Sequence, residues 1–152
     1  MLPKKRDVTN YNNIPCFPPL MALYTKCIFL PADPSDGTRI SVMSRHTKND
    51  GLTPEPRITN ESYDEWRKEL APPPELIGAY YKRGLSWKEF SRKYNEHIQQ
   101  QGICTIVSNL ANRAMAQDIT LLCVEATAEY CHRRLLAEEC KRYQPELKIE
   151  HR

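Results

Sequence analysis

The clearest periodicity in the chain runs from Ile103 to Met115. Ile103, Ile106, Val107, Leu110, Ala111, Ala114 and Met115 recur at the i, i+3, i+4, i+7 spacing that places them on one helical stripe. The pattern then changes abruptly. Ile119–Val124 is apolar at almost every position, as expected of an inner strand of a parallel sheet covered on both faces. A helix is expected over Thr127–Tyr143, with Thr127 as N-cap, an apolar seam of Ala128, Cys131, Leu135, Leu136 and Cys140, and Pro145 beyond its end. Leu147–His151 reads as a last strand. Near the start, Leu23–Leu30 and Thr38–Met43 read as strands, separated by Pro31 and the turn residues Asp33-Pro34-Ser35-Asp36-Gly37. So short a connection cannot make a parallel crossover between neighbours, so these two strands are antiparallel or not adjacent.

Between the strands lies a long polar loop, Ser44–Asn60, and then two capping boxes, Ser62 with Glu65 and Ser86 with Glu89. They predict a short helix over Tyr63–Leu70, ended by consecutive prolines, and a helix carrying Trp87, Phe90, Tyr94 and Ile98. A further short helix is expected over Pro74–Lys82, with Gly84 as its stop. The order of elements implies an α/β sandwich with a mostly parallel sheet. Only Pro145 of the 12 prolines lies beyond residue 74, and residues 1–22 read as a poorly ordered arm before a single domain over 23–152.

Composition narrows the class without naming an activity. The chain has 152 residues, 40% of them hydrophobic and 27% charged, with a net charge of +3. That fits one soluble globular domain and excludes a collagen, a coiled coil and a repeat array. Neither half forms a basic block. Lys4, Lys5 and Arg6 precede a stretch interrupted by asparagines and by Pro15, Pro18 and Pro19, which lacks the apolar run of a signal peptide, so a cytoplasmic location is expected and no membrane span. The six cysteines include no C-x-x-C pair and read as mostly buried free thiols.

Chemistry gathers at the carboxyl end of the Ile119–Val124 strand, where α/β sheets bind ligands. Cys123 and Glu125 share one side of the strand, and Cys131, His132 and Arg133 follow at the next helix. Glu125, Cys131 and His132 are the candidate catalytic groups. Cys123, Thr127 and Arg133 are candidate ligand contacts, with Arg133 suited to clamp a phosphate near a helix N-terminus. Each also has a plain structural reading: packing for the cysteines, an ion pair with Arg133 for Glu125. A second cluster, Arg45 and His46 after the Thr38–Met43 strand, would face the first across the same sheet edge and add positive charge together with Arg39. The aromatic-basic run Tyr80–Lys88 could stack bases, or simply be a helix junction with core aromatics. A metal site on Cys123, Cys131 and His132 ranks last, for want of a fourth ligand, and no cofactor motif is present.

Several segments carry a family resemblance: RISVMSRH at 39–46, YDEWRKELAPPP at 63–74, WKEF at 87–90, TLLCVE at 120–125 and CHRRLLAE at 131–138. Together they make the chain similar to the YeaO-like proteins of the domain-of-unknown-function family numbered 488, over roughly residues 23–152. The resemblance implies a small Rossmann-like α/β domain, here expected as a three-layer sandwich, with no assigned reaction and no catalytic residues to carry over. The residues themselves suggest binding or processing of a phosphate-bearing ligand, a nucleotide or nucleic-acid end. The rival reading is a non-enzymatic nucleic-acid-binding or adaptor protein using Lys82, Arg83, Lys88, Arg92 and Lys93.

Overall fold

In a computed structural model that describes residues 21–152, five strands form one parallel sheet. Strand β1 is Ala22–Cys27, β2 Thr38–Ser41, β3 Glu65–Trp66, β4 Ile119–Cys123 and β5 Lys148–His151; their order across the sheet is β3-β2-β4-β1-β5. The arm expected over residues 1–22 lies, but for its last two residues, outside the described part. Strand β4 sits centrally between β1 and β2, every residue buried, as its unbroken apolarity required. Strands β1 and β2 are therefore not neighbours, which resolves the short connection between them.

The helices are α1 (Pro74–Lys82), α2 (Trp87–Ile98), α3 (Ile103–Ala116) and α4 (His132–Tyr143). The first three fall where the apolar pattern and the Ser86 cap put them, and Ser86 accepts the Glu89 N–H at 3.2 Å. Val107, Leu110, Ala111 and Ala114 of α3 are buried, as are Leu135, Leu136 and Cys140 of α4. They share one core with Leu23, Ile40, Ile119 and Leu121, which alternate with period two onto the same sheet face. The opposite face carries Lys26, Arg39, Ser41 and Thr120. Its cover is the segment after β1, with a 3-10 turn at Pro34–Asp36, and the long loop after β2.

That polar face is knotted by Asp36, which is fully buried. Its carboxylate accepts from Lys26 Nζ at 3.0 Å, from Arg39 and from Arg152 at 3.2 Å, and its carbonyl accepts the Thr120 hydroxyl at 2.6 Å. Gly37 follows with φ 62°, and a Cβ there would fall 2.1 Å from the Asp118 carbonyl oxygen, so only glycine lets the turn meet β4.

Two helical expectations give way to tertiary contacts. The segment 63–70 is not a helix: Glu65 and Trp66 pair with β2, and only Lys68–Leu70 makes a 3-10 turn. Glu65 binds Arg113 of α3 through both oxygens at 2.7 and 3.0 Å, and Trp66 Nε1 donates to the Met43 carbonyl at 2.7 Å. Ser62 caps no helix; its Oγ accepts from the Thr59 N–H. The final helix begins at His132, five residues after the expected Thr127. Side chains of the helix reach back to carbonyls of the irregular segment before it: Arg133 binds that of Glu125, and Arg134 that of Glu129. Cys131 becomes the N-cap residue, in extended conformation. No helix among the described residues is long and apolar enough to cross a membrane.

Candidate active site

The loops that follow β2 and β4 leave the carboxyl edge of the sheet side by side and enclose a cavity of about 470 Å³. Helix α1 supplies a third wall. The cavity is lined by Met43, Ser44, Arg45 and Lys48 from the first loop, and by Cys123, Glu125, Tyr130 and His132 from the second; Tyr80, Tyr81 and Lys82 come from α1. The loop after β2 thus does face the start of α4, and the contact is direct: His132 Nε2 lies 2.8 Å from the Val42 carbonyl oxygen.

That contact fixes the imidazole. A carbonyl can only accept, so Nε2 carries a proton, and in the neutral ring Nδ1 presents its lone pair. Nδ1 lies 3.9 Å from Cys123 Sγ, and Cys123, Cys131 and His132 keep their ligating atoms within 4.8 Å of one another. All three side chains are buried, Cys123 being 5% exposed at the cavity floor.

The two thiols are not equivalent. The neighbouring Cys131 side chain holds the Cys123 thiol below the usual cysteine range; burial opposes this, while the Val124 N–H and the Arg133 charge assist it. The Cys131 thiol is driven well above that range, first by the Cys123 side chain and then by burial. Cys123, expected as a ligand contact, lines the cavity, whereas Cys131, expected as a catalytic group, is outside its lining.

Arg133 completes the group from behind. It is 0% exposed, and Nη1 donates to the Glu125 carbonyl at 2.8 Å and to Cys131 Sγ at 3.4 Å, while Nε and Nη2 have no partner. It is not an open phosphate clamp. Helix α4 adds to the positive potential, because its first turn has no acidic residue and opens with His-Arg-Arg. Arg134 turns outward to Glu138 at 2.9 Å. Glu125 does not pair with Arg133; its carboxylate accepts the Tyr81 hydroxyl, whose ionisation is pushed well up by burial and by that bond.

The remaining expected positions divide. Arg45 lines the cavity, exposed, its guanidinium close above Gly51, whose φ of 71° and lack of a side chain leave it room. His46 does not join it: its ring stacks on Trp66 at 3.7 Å and its Nε2 bonds Ser41 Oγ at 2.8 Å. Burial and the charge of Lys68 depress its pKa to about 4, so at neutral pH it adds no positive charge. Arg39 is locked in the Asp36 knot, away from the cavity, by contacts that include the Ser62 carbonyl at 3.0 Å. Thr127 is exposed and lies outside the cavity lining, because the helix it was expected to cap starts later. Tyr81 and Tyr130 are cavity walls that periodicity alone did not select, although the aromatic-basic run already pointed at Tyr80, Tyr81 and Lys82.

Cys123, Cys131 and His132 also form the one metal-ligating set found among the described residues. They fit a divalent ion poorly. The buried guanidinium touching Cys131 puts a fixed positive charge against the site, and no fourth ligand joins the three.

Fold and site together define a parallel α/β domain whose carboxyl-edge cleft is built on a polarised thiol. The family model described as the active DUF488-N3 subclade matches residues 23–144, and the chain belongs to that family. It is 30% identical over 122 residues to the uncharacterized protein YeaO of Escherichia coli (strain K12), covering 78% of this chain and 96% of that one. No solved structure matches the chain.

Proposed function

We propose that the cleft is the active site of a thiol-dependent enzyme acting on a phosphate-bearing ligand, a nucleotide or nucleic-acid end, with Cys123 as nucleophile. The observation that carries this reading is the orientation of His132: the Val42 carbonyl holds its Nε2–H, leaving Nδ1 to take the Cys123 proton. A nucleophile, a base and a group orienting the base form the constellation of thiol catalysis, and such contacts are commonly long before substrate binds. The thiolate is stabilised by the Cys131 side chain and by Arg133. Across the cavity, the Tyr81 hydroxyl donates to the Glu125 carboxylate.

The ligand class follows from the walls. Tyr80, Tyr81 and Tyr130 offer ring faces for stacking, and Arg45, Lys48 and Lys82 stand at the same cavity, none of them in a salt bridge among the described residues. Flat apolar surface beside unneutralised cations suits a base with its phosphate.

The test is alkylation of the reduced protein by iodoacetamide, followed residue by residue by mass spectrometry, alone and against a panel of nucleoside mono-, di- and triphosphates. Cys123 should react at neutral pH faster than the more exposed Cys104, and a nucleotide should protect it saturably. Arg45→Ala should weaken protection while leaving the unprotected rate unchanged. If Cys123 reacts no faster than Cys104 and no nucleotide protects it, the reading fails.

A further inference from the structure

We infer that Cys123 and Cys131 form a redox-active dithiol, which a hydroperoxide converts to an intramolecular disulfide that reversibly silences the cleft. The inference rests on the reading of Cys123 as the reactive thiol and assigns its neighbour a second task. The two sulfurs lie within 4.8 Å of each other, both as free thiols. Bringing them to the roughly 2 Å of a disulfide asks for a small movement of the segment between them. That segment suits it: residues 124–130 form no helix or strand, and Val124, Ala126, Thr127, Glu129 and Tyr130 are exposed.

The chemistry balances in two steps. The Cys123 thiolate attacks the peroxide O–O bond, a sulfur–oxygen bond forms, and the distal oxygen leaves as water or alcohol after taking a proton. Cys123 is then a sulfenic acid, and its negative charge is gone. Arg133, wholly buried and without a carboxylate partner, now has one nearby group that can balance it, the Cys131 sulfur 3.4 Å from Nη1. The foremost cause holding Cys131 protonated is the Cys123 sulfur itself, so its oxidation removes the obstacle to ionising Cys131. The Cys131 thiolate then attacks the Cys123 sulfur, expelling hydroxide, which leaves as a second water. The two electrons come from the two thiols, and the peroxide is the oxidant. His132, beside both sulfurs, can receive and return the protons. Oxidation of the first thiol thereby arms the second.

The test treats the reduced full-length chain with one equivalent of hydrogen peroxide. The expected product has lost two hydrogens, contains a Cys123–Cys131 peptide pair, no longer alkylates at Cys123 and recovers on addition of dithiothreitol. Cys131→Ser should instead accumulate a sulfenic acid at Cys123 that dimedone traps, and Cys123→Ser should leave Cys131 unoxidised. Wild-type protein whose Cys123 passes to the sulfinic acid without a disulfide, or that links other cysteines or two chains, overturns the inference. Rapid alkylation of Cys123 with no disulfide would sink this inference alone. Slow alkylation of the reduced protein would sink the functional reading with it.

Discussion

Among the described residues two arginines are buried, and the fold treats them in opposite ways. Arg39, 5% exposed, reaches a carboxylate, Asp36, which also holds Lys26 and Arg152, and it has the Ser62 carbonyl as well. Arg133, 0% exposed, has one carbonyl and one sulfur, and two of its nitrogens have no partner. A buried charge is tolerated when it is paired and hydrogen-bonded, so Arg39 is accounted for by folding alone. Arg133 is not. The difference separates two regions of the sheet: one cation closes a structural knot, the other stands against a pair of thiols at the cleft.

The largest effect is expected at the knot. Asp36→Asn leaves Lys26 and Arg39 buried without their counter-charge, which should cost about 3–5 kcal/mol. Thermal denaturation should show a fall in Tm on the order of 10 °C for a domain of this size. Cys123 alkylation in the protein that remains folded should be unchanged. The matching variant, Arg133→Met, keeps the volume and removes the charge. Because Arg133 has no carboxylate to orphan, Tm should move by no more than roughly 1 kcal/mol equivalent, in either direction. Its signature is chemical: without the neighbouring cation the Cys123 thiol should titrate higher, slowing its alkylation at neutral pH. If Arg133→Met unfolds the domain as Asp36→Asn does, the contrast between the two arginines is lost.

His46 tests the same division by titration. It is neutral in the folded state down to about pH 4, whereas the unfolded chain takes up its proton near pH 6.5. Between those values the unfolded state binds more protons, so folding stability should fall as pH falls from 6.5 toward 4 and level off below. The ring is only partly buried, so solvent screening keeps the effect smaller than that of Asp36. His46→Gln should flatten denaturant midpoints across that window while leaving Cys123 reactivity at neutral pH intact, because His46 stacks on Trp66 and not in the cavity.

How much of this the residues announced depends on how local each determinant is. Helix α3 and strand β4 were readable because burial imprints its own period, one stripe for α3 and unbroken apolarity for β4. Strand β3 was not, since Ser62 and Glu65 satisfy a capping pattern and what overrides it, Arg113, lies 48 residues away. The start of α4 was hidden for a similar reason: the Thr127 cap is a local signal, while Arg133 and Arg134 reach back from inside the helix to carbonyls of the segment before it. At the site, the cluster Cys123, Glu125, Cys131, His132 and Arg133 was visible as residue types at one strand–helix junction. Which sulfur is acidic depends on how the two thiols and Arg133 lie together, and which nitrogen of His132 is free depends on the Val42 carbonyl just beyond β2. Spacing encodes neither.

The smallest effects are expected on the outer face of α2, where the rival reading places a nucleic acid. Arg92 is bound to Glu89 at 3.0 Å and to Glu96 at 2.6 Å, so its charge is already offset by carboxylates on its own helix. Exposed pairs of this kind contribute little, and Arg92→Ala should change stability by less than about 0.5 kcal/mol. A phosphate contact made by Arg92 would have to displace those carboxylates, and losing it would lower the salt dependence of DNA binding by about one counterion. Arg92→Ala should leave any such dependence unchanged. Lys82 belongs to the other region: it lines the cavity, so Lys82→Ala should weaken nucleotide protection of Cys123. Were Arg92→Ala to shift the salt slope while Lys82→Ala left protection untouched, the ligand would have to be placed on the helix face and not in the thiol cleft.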